Sequence, residues 1–325
     1  MTKYNLGVVF MGKSDSRSSF SGKIGYVLAV AGSAVGLGNL WRFPYLAAKY
    51  GGGIFLLVYV ILAVSFGFAL IVSETALGRM TRKSPIGAFC AFGKNRLQFG
   101  GWINAIVPMI IVPYYCVVGG WVMKYLFEYM RRNSAMLTAD DYFSNFISSS
   151  GEPIFWFMIY VVATFVVVLC GVEKGIEKAS KVMMPILVVL AVIIALYSVT
   201  RPGAMAGVAY YLIPDFSKFS YMTVVAAMGQ LFYSLSIAMG ILFTYGSYMK
   251  KDVNIEQATA QIEMFDTSIA FLAGLMIIPA VFVFSGGDQS KLQAGPSLMF
   301  ITIPKVFESM GMANLIGFIF FLLVL

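Results

Sequence analysis

Asn39 and Arg42 stand where a membrane helix ought to be apolar and continuous, and the residues around them, GSAVGLGNLWRFP over 32–44, are unusually small. Gly32, Gly36 and Gly38 fall in a run that carries no charge from Ile24 to Trp41. At about 1.5 Å per residue that run crosses most of a hydrocarbon core. A helix broken at mid-membrane leaves backbone C=O and N–H groups that persist only where protein, water or a ligand satisfies them. A bound ion is the obvious candidate. Glycines alone would read as a close-packing seam, but a polar cluster of Asn39 and Arg42 is too costly for one. A second interrupted run lies between Lys218 and Lys250, where 31 uncharged residues centre on GQLFYSLSIAMG (229–240) with hydroxyls at Tyr233, Ser234 and Ser236. Taken alone, those hydroxyls fit an ordinary helix in which they bond back to their own carbonyls. Paired with the first break, they point to a transport site, because broken helices at corresponding positions of two halves mark such sites.

The elements that position these residues are membrane spans. The chain is 59% apolar and 12% charged with a mean hydropathy of +0.83, a composition that no soluble domain of this size carries. Reading between charges predicts spans at 24–41, 54–73, 97–123, 153–172, 182–200, 219–249 and 267–287, here numbered 1 to 7, and an eighth beginning near 310. The apolar patch from Leu6 to Met11 is too short for a signal peptide. Basic residues gather before span 1 and after spans 2, 4 and 6, including Lys23, Arg79, Arg82, Lys83, Lys174, Lys178, Lys181, Lys250 and Lys251. That bias predicts a cytoplasmic amino terminus.

Several chemistries are excluded. The net charge of +8 follows this loop asymmetry, and no surface module of interleaved basic and aromatic residues is present for nucleic acid. With no histidine, and with Cys90, Cys116 and Cys170 far apart, metal-ligand spacing and histidine acid/base catalysis are missing. Gly51 to Gly53 lack the Lys-Ser/Thr of a phosphate loop and read as a turn between spans. The chain is not read as an enzyme.

AVGLGNLWRFP, GQLFYSLSIAMG, the pair Tyr114 and Tyr115, and SETALGR in span 2 together resemble the neurotransmitter:sodium symporter family, in particular its bacterial amino-acid transporters. The likeness runs from Arg17 onward. It implies an all-α polytopic membrane protein with a five-plus-five inverted-repeat transporter fold, discontinuous helices 1 and 6, and an incomplete second repeat. The chain then divides into a cytoplasmic tail (1–23), a first five-helix repeat (24–200), and an extracellular loop with the first part of the second repeat (201–325). The function implied is sodium-coupled symport of an amino acid across the plasma membrane by alternating access.

The resemblance also implies a site. A first sodium would be held by the Ala34 carbonyl, Asn39, Ser234, Asp266 and the substrate carboxylate. Many relatives have an amide where this chain has Asp266; an ionised Asp266 would make chloride unnecessary. A solvated place at the cytoplasmic end of span 7 is the alternative for that residue. The free N–H groups near Leu37 and Gly38 would meet the substrate carboxylate, joined by the Tyr115 hydroxyl. Carbonyls of Ala34, Tyr233 and Ser236 would take the ammonium. Ile111, Tyr233, Ser236 and Met239 would line the side-chain pocket, beside Ser234. Relatives that carry biogenic amines have an aspartate at Gly36, so glycine there implies an α-amino acid.

Departures from the family pattern matter as well. Met239 stands where an aromatic ring is frequent, and Tyr233 replaces the usual phenylalanine lid; an adaptable methionine beside Ala238 suits a large apolar or aromatic substrate. Of a second sodium site the chain supplies the carbonyls of Gly32 and Val35, with the helix 8 ligands expected beyond Leu325. Arg42 resembles an extracellular gate, and Arg17 with Phe20 a cytoplasmic latch that Tyr248 would join. Their carboxylate partners are likewise expected beyond Leu325. Gly175 and Pro185 match the spacing at which the family unwinds helix 5. A reading from another class is a non-transporting membrane fragment or a regulatory or assembly module.

Overall fold

The computed structural model describes residues 19–36, 38–93, 97–285 and 296–325. Among the described residues, five helices are long and apolar enough to cross a membrane: Gly53–Thr81 (span 2), Gln98–Met130 (span 3), Glu152–Leu169 (span 4), Val172–Val199 (span 5) and Ile255–Phe284 (span 7). Lys23–Ala34 and Gly38–Lys49, bent by 52°, form span 1 in two halves, 1a and 1b. Span 6 is also divided, into Tyr221–Ser234 (6a) and Ile241–Tyr248 (6b). At 14 and 8 residues neither half is long enough to cross alone. Ala313–Val324 begins span 8.

Both breaks arise where helical geometry is abandoned. Span 1a ends at Val35 in extended backbone, and the chain resumes as a wide π turn over Gly38–Arg42. In span 6 the backbone enters the left-handed region at Ser236, Ala238 and Gly240, a conformation costly for the two non-glycine residues and tolerated where surrounding contacts fix it. The helix continues through Gly229–Ser234, so the interruption covers only the second half of the expected segment. Ser220 and Thr223 form a capping box that starts span 6a.

Spans 5 and 7 begin about ten residues earlier than charge-based segmentation predicts. In span 5, Glu177 is buried and paired with Lys181 at 2.6 Å, so its charge need not end the helix. In span 7, the Asn254 side chain accepts from the Gln257 N–H at 2.9 Å and caps the start. Asp266 therefore lies well inside the helix and is fully buried, not at a solvated cytoplasmic end.

Spans 1, 2, 6 and 7 form the packed centre, while span 4 buries none of its residues and faces outward. Contact between spans 2 and 6b is backbone to backbone. A Cβ on Gly78 would stand 2.2 Å from the Phe243 carbonyl oxygen, and one on Gly246 would stand 2.5 Å from the Thr75 carbonyl oxygen. Small residues at such crossings let helices approach without side chains between them. At the end of span 3, Lys124 joins Glu128 at 2.7 Å and Glu152 at 2.5 Å, and Asn133 donates to Glu128. Through Glu152, which is partly exposed, Lys124 ties span 3 to the start of span 4.

Candidate functional site

The two breaks and the middle of span 7 meet at one carboxylate. Asp266 Oδ1 accepts from Asn39 Nδ2 at 2.8 Å and from Ser234 Oγ at 2.7 Å, while Oδ2 accepts from the Tyr59 hydroxyl at 3.1 Å. Asn39 Nδ2 also donates to the Asp266 carbonyl at 3.2 Å. The four side chains are buried. Ser234 Oγ lies 2.7 Å from Asn39 Oδ1 as well. A hydroxyl has one proton, so it cannot serve both Asp266 Oδ1 and Asn39 Oδ1 fully. Among the described residues no lysine or arginine forms a salt bridge with Asp266. A carboxylate buried in a membrane without a counter-charge is expensive, and oxygen atoms from three elements are the donor set that a hard monovalent cation takes.

Beside this cluster a cavity of about 260 Å³ is lined by Ala34, Gly36, Gly38, Ile111, Tyr115, Tyr233, Ser236 and Met239. Every sequence-predicted pocket residue within the described chain thus reaches it or, for Ser234, the adjoining cluster. Leu37 lies outside the described residues. Ser33, Cys116 and Tyr160 also line the cavity and were not anticipated. Gly32 and Val35 border a second cavity of about 290 Å³ with Ser180, Met184 and Leu325.

At the outer rim, Arg42 donates through Nη1 to the Gly229 carbonyl and to Gln230 Oε1, each at 3.1 Å, and lies 5.0 Å from the centre of the Tyr233 ring. Gln230 in turn donates to the Gly38 carbonyl at 2.9 Å. On the opposite side, Phe20 is buried against Tyr26, Tyr245 and Tyr248, and its N–H donates to the Tyr248 carbonyl at 3.3 Å. Phe20 and Tyr248, both expected at the latch, are thus in contact; Arg17 lies outside the described residues. Gly175 sits in the π turn Val172–Glu177 and Pro185 within the helix that follows.

Sequence reading missed three supports. Glu74 of SETALGR accepts from the Ala238 N–H at 2.8 Å and holds the unwound part of span 6. Its signal was present, a carboxylate inside an apolar span. Glu177 accepts from the Ser21 N–H at 2.8 Å and from its hydroxyl, fixing the chain ahead of span 1 to span 5. Tyr59 gave no signal, since a tyrosine in an apolar span is ordinary.

The sequence profile described as "Sodium:neurotransmitter symporter family" matches residues 17–145 and 128–325. An uncharacterized sodium-dependent transporter of Bacillus subtilis is 36% identical over 306 residues, covering 92% of this chain and 67% of its own length. A corresponding transporter of Haemophilus influenzae is 34% identical, covering 95% and 70%. The sodium- and chloride-dependent taurine transporter of Bos taurus is 27% identical, covering 97% and 58%. The chain thus spans about two thirds of the length of these bacterial relatives. The crystal structure of MhsT in complex with L-phenylalanine superimposes with a TM-score of 0.85 at 36% identity, covering 95% of this chain and 70% of that one. The shared fold, the two broken spans and the profile match agree: the chain belongs to the sodium:neurotransmitter symporter family, whose members are membrane transporters and not enzymes.

Proposed function

We propose that this protein carries an α-amino acid with an apolar or aromatic side chain into the cell together with sodium, by alternating access in the plasma membrane with its amino terminus cytoplasmic. The observation that carries the reading is the buried Asp266 carboxylate, hydrogen-bonded to Asn39 and Ser234 and, among the described residues, forming no salt bridge with a cationic side chain. Sodium supplies the missing charge, with the Ala34 carbonyl and the substrate carboxylate as further ligands. Because Asp266 is itself negative, chloride is not required. Gly32 and Val35 contribute carbonyls to a second sodium. The cavity's apolar wall of Ile111 and Met239 suits a large hydrocarbon side chain. Gly36 leaves the carboxylate end of the substrate unopposed. Residues 24–200 act as the first repeat, and 201–325 supply the opening part of the second.

The direct test is Asn39→Ala. Sodium-dependent binding of L-phenylalanine to the purified variant is expected to need more than tenfold higher sodium, about 1.4 kcal/mol. An unchanged sodium titration would remove Asn39 from the site.

A further inference from the structure

On the side of span 6b, a cavity of about 360 Å³ adjoins the one between the breaks, and the two share Ser33, Pro108, Met239 and Ile241 in their walls. Spans 6b and 3 meet there through backbone: a Cβ on Gly240 would stand 2.9 Å from the Asn104 carbonyl oxygen. Tyr245, also in the wall, packs on Phe20. The cavity therefore lies on the amino-terminal side of both breaks, cytoplasmic in the orientation proposed above. Asn104 lines it and is only 8% exposed. Its Nδ2 donates to the Gly100 carbonyl at 2.9 Å, and its Oδ1 is buried without a hydrogen-bond partner among the described residues. In the same wall, the Thr244 hydroxyl gives its proton to the Gly240 carbonyl at 2.8 Å. Both side chains have committed a donor to the backbone and keep oxygen lone pairs free.

We propose that this second cavity is a release subsite, in which the Asn104 side-chain oxygen holds the ammonium group of an amino acid that has left the cavity between the breaks. The inference rests on the reading of the first cavity as an amino-acid site. A buried carbonyl oxygen without a donor keeps its desolvation penalty unrelieved. An ammonium brings three donors and no acceptor, and its bond to that oxygen is charge-assisted. A carboxylate is offered neither the Asn104 amide proton bonded to Gly100 nor the Thr244 proton bonded to Gly240, so these two side chains select the ammonium end. Pro85, Ala105 and Pro108 supply apolar wall for a hydrocarbon side chain. Without Asn104, an ammonium leaving its carbonyl ligands between the breaks would meet that wall with no partner of its own.

The test compares the two faces of the purified protein in oriented vesicles, with L-phenylalanine as the probe and equal sodium on both sides. Asn104→Leu keeps the bulk and removes the acceptor. It is expected to raise the half-saturating concentration at the cytoplasmic face about tenfold, the worth of one charge-assisted hydrogen bond. The half-saturating concentration at the opposite face, and equilibrium binding at saturating sodium, are expected to change by less than about twofold. Because equal concentrations on both sides must give no net flux, maximal uptake from the opposite face falls by the same factor. Asn104→Asp keeps an oxygen in place and is expected to leave the cytoplasmic-face value no higher than in the unaltered protein. A cytoplasmic-face value unmoved by Asn104→Leu would overturn the proposal, as would an equal rise at both faces, or a rise in Asn104→Asp as large as in Asn104→Leu. If the unaltered protein shows no sodium-dependent binding of L-phenylalanine, the amino-acid reading falls and the subsite with it. Intact binding with a failed comparison of faces overturns the subsite alone.

Discussion

In the site we propose, Asp266 and Gly36 divide the work at the level of single residues, one bringing a negative charge to the ion and the other keeping charge away from the substrate. Asp266→Asn keeps the shape but removes the charge and turns one of the two accepting oxygens into a donor. Sodium affinity is expected to fall at least tenfold, about 1.4 kcal/mol, and amino-acid binding to become sensitive to replacing chloride with gluconate. An unaltered titration in both salts would mean that Asp266 carries no charge for the ion. At Gly36 nothing lies within 4 Å of a would-be Cβ, so Gly36→Asp tests charge without crowding. Like charges about 4 Å apart repel by about 4 kcal/mol at an effective dielectric constant of 20, and L-phenylalanine binding is expected to collapse. Normal binding by that variant would place the carboxylate elsewhere.

Individual elements are held in working shape by contacts that link distant parts of the chain. Glu74 holds Ala238 across 164 residues. Glu74→Leu leaves the half-buried Ala238 N–H without an acceptor, a loss of about 1 kcal/mol. The variant is expected to unfold in detergent at a lower temperature and to bind substrate weakly. Unchanged melting would show that water replaces the carboxylate. Outside the membrane, Lys305 beside the exposed Asp140 holds that carboxyl below the ordinary carboxylate range. A carboxyl depressed in the fold contributes above its unfolded value, about 3.9, and its contribution is lost as pH falls through the lower folded value. Amide exchange over residues 134–148 is expected to show an added loosening only toward pH 3, and Asp140→Asn to lack that added step. These elements were unequally legible in the sequence. Both broken spans could be read locally, because glycines, Asn39 and the hydroxyls of span 6 interrupt uncharged runs. The starts of spans 5 and 7 could not, because Lys181, the partner of Glu177, and Asp266 read as boundaries until their partners are known. Tyr59 meets Asp266 across 207 residues, and Ser21 meets Glu177 across 156. No periodicity within a span reports such pairings.

On the scale of the whole molecule, the ion cluster and the amino-acid cavity we propose share span 1, span 6 and the substrate carboxylate, so that each ligand would complete the other's site. Binding energies linked in this way are reciprocal, and sodium must tighten the substrate by the factor that substrate tightens sodium. Transport follows if the shared site opens to either side in turn. The most direct measurement is uptake of radiolabelled L-phenylalanine into vesicles reconstituted with the protein, under an inward sodium gradient. The account predicts accumulation above the external concentration, unaffected by replacing chloride, and lost when sodium is replaced by potassium or the gradient is dissipated with an ionophore. Equal uptake in sodium and potassium, or sodium-independent accumulation, would contradict it.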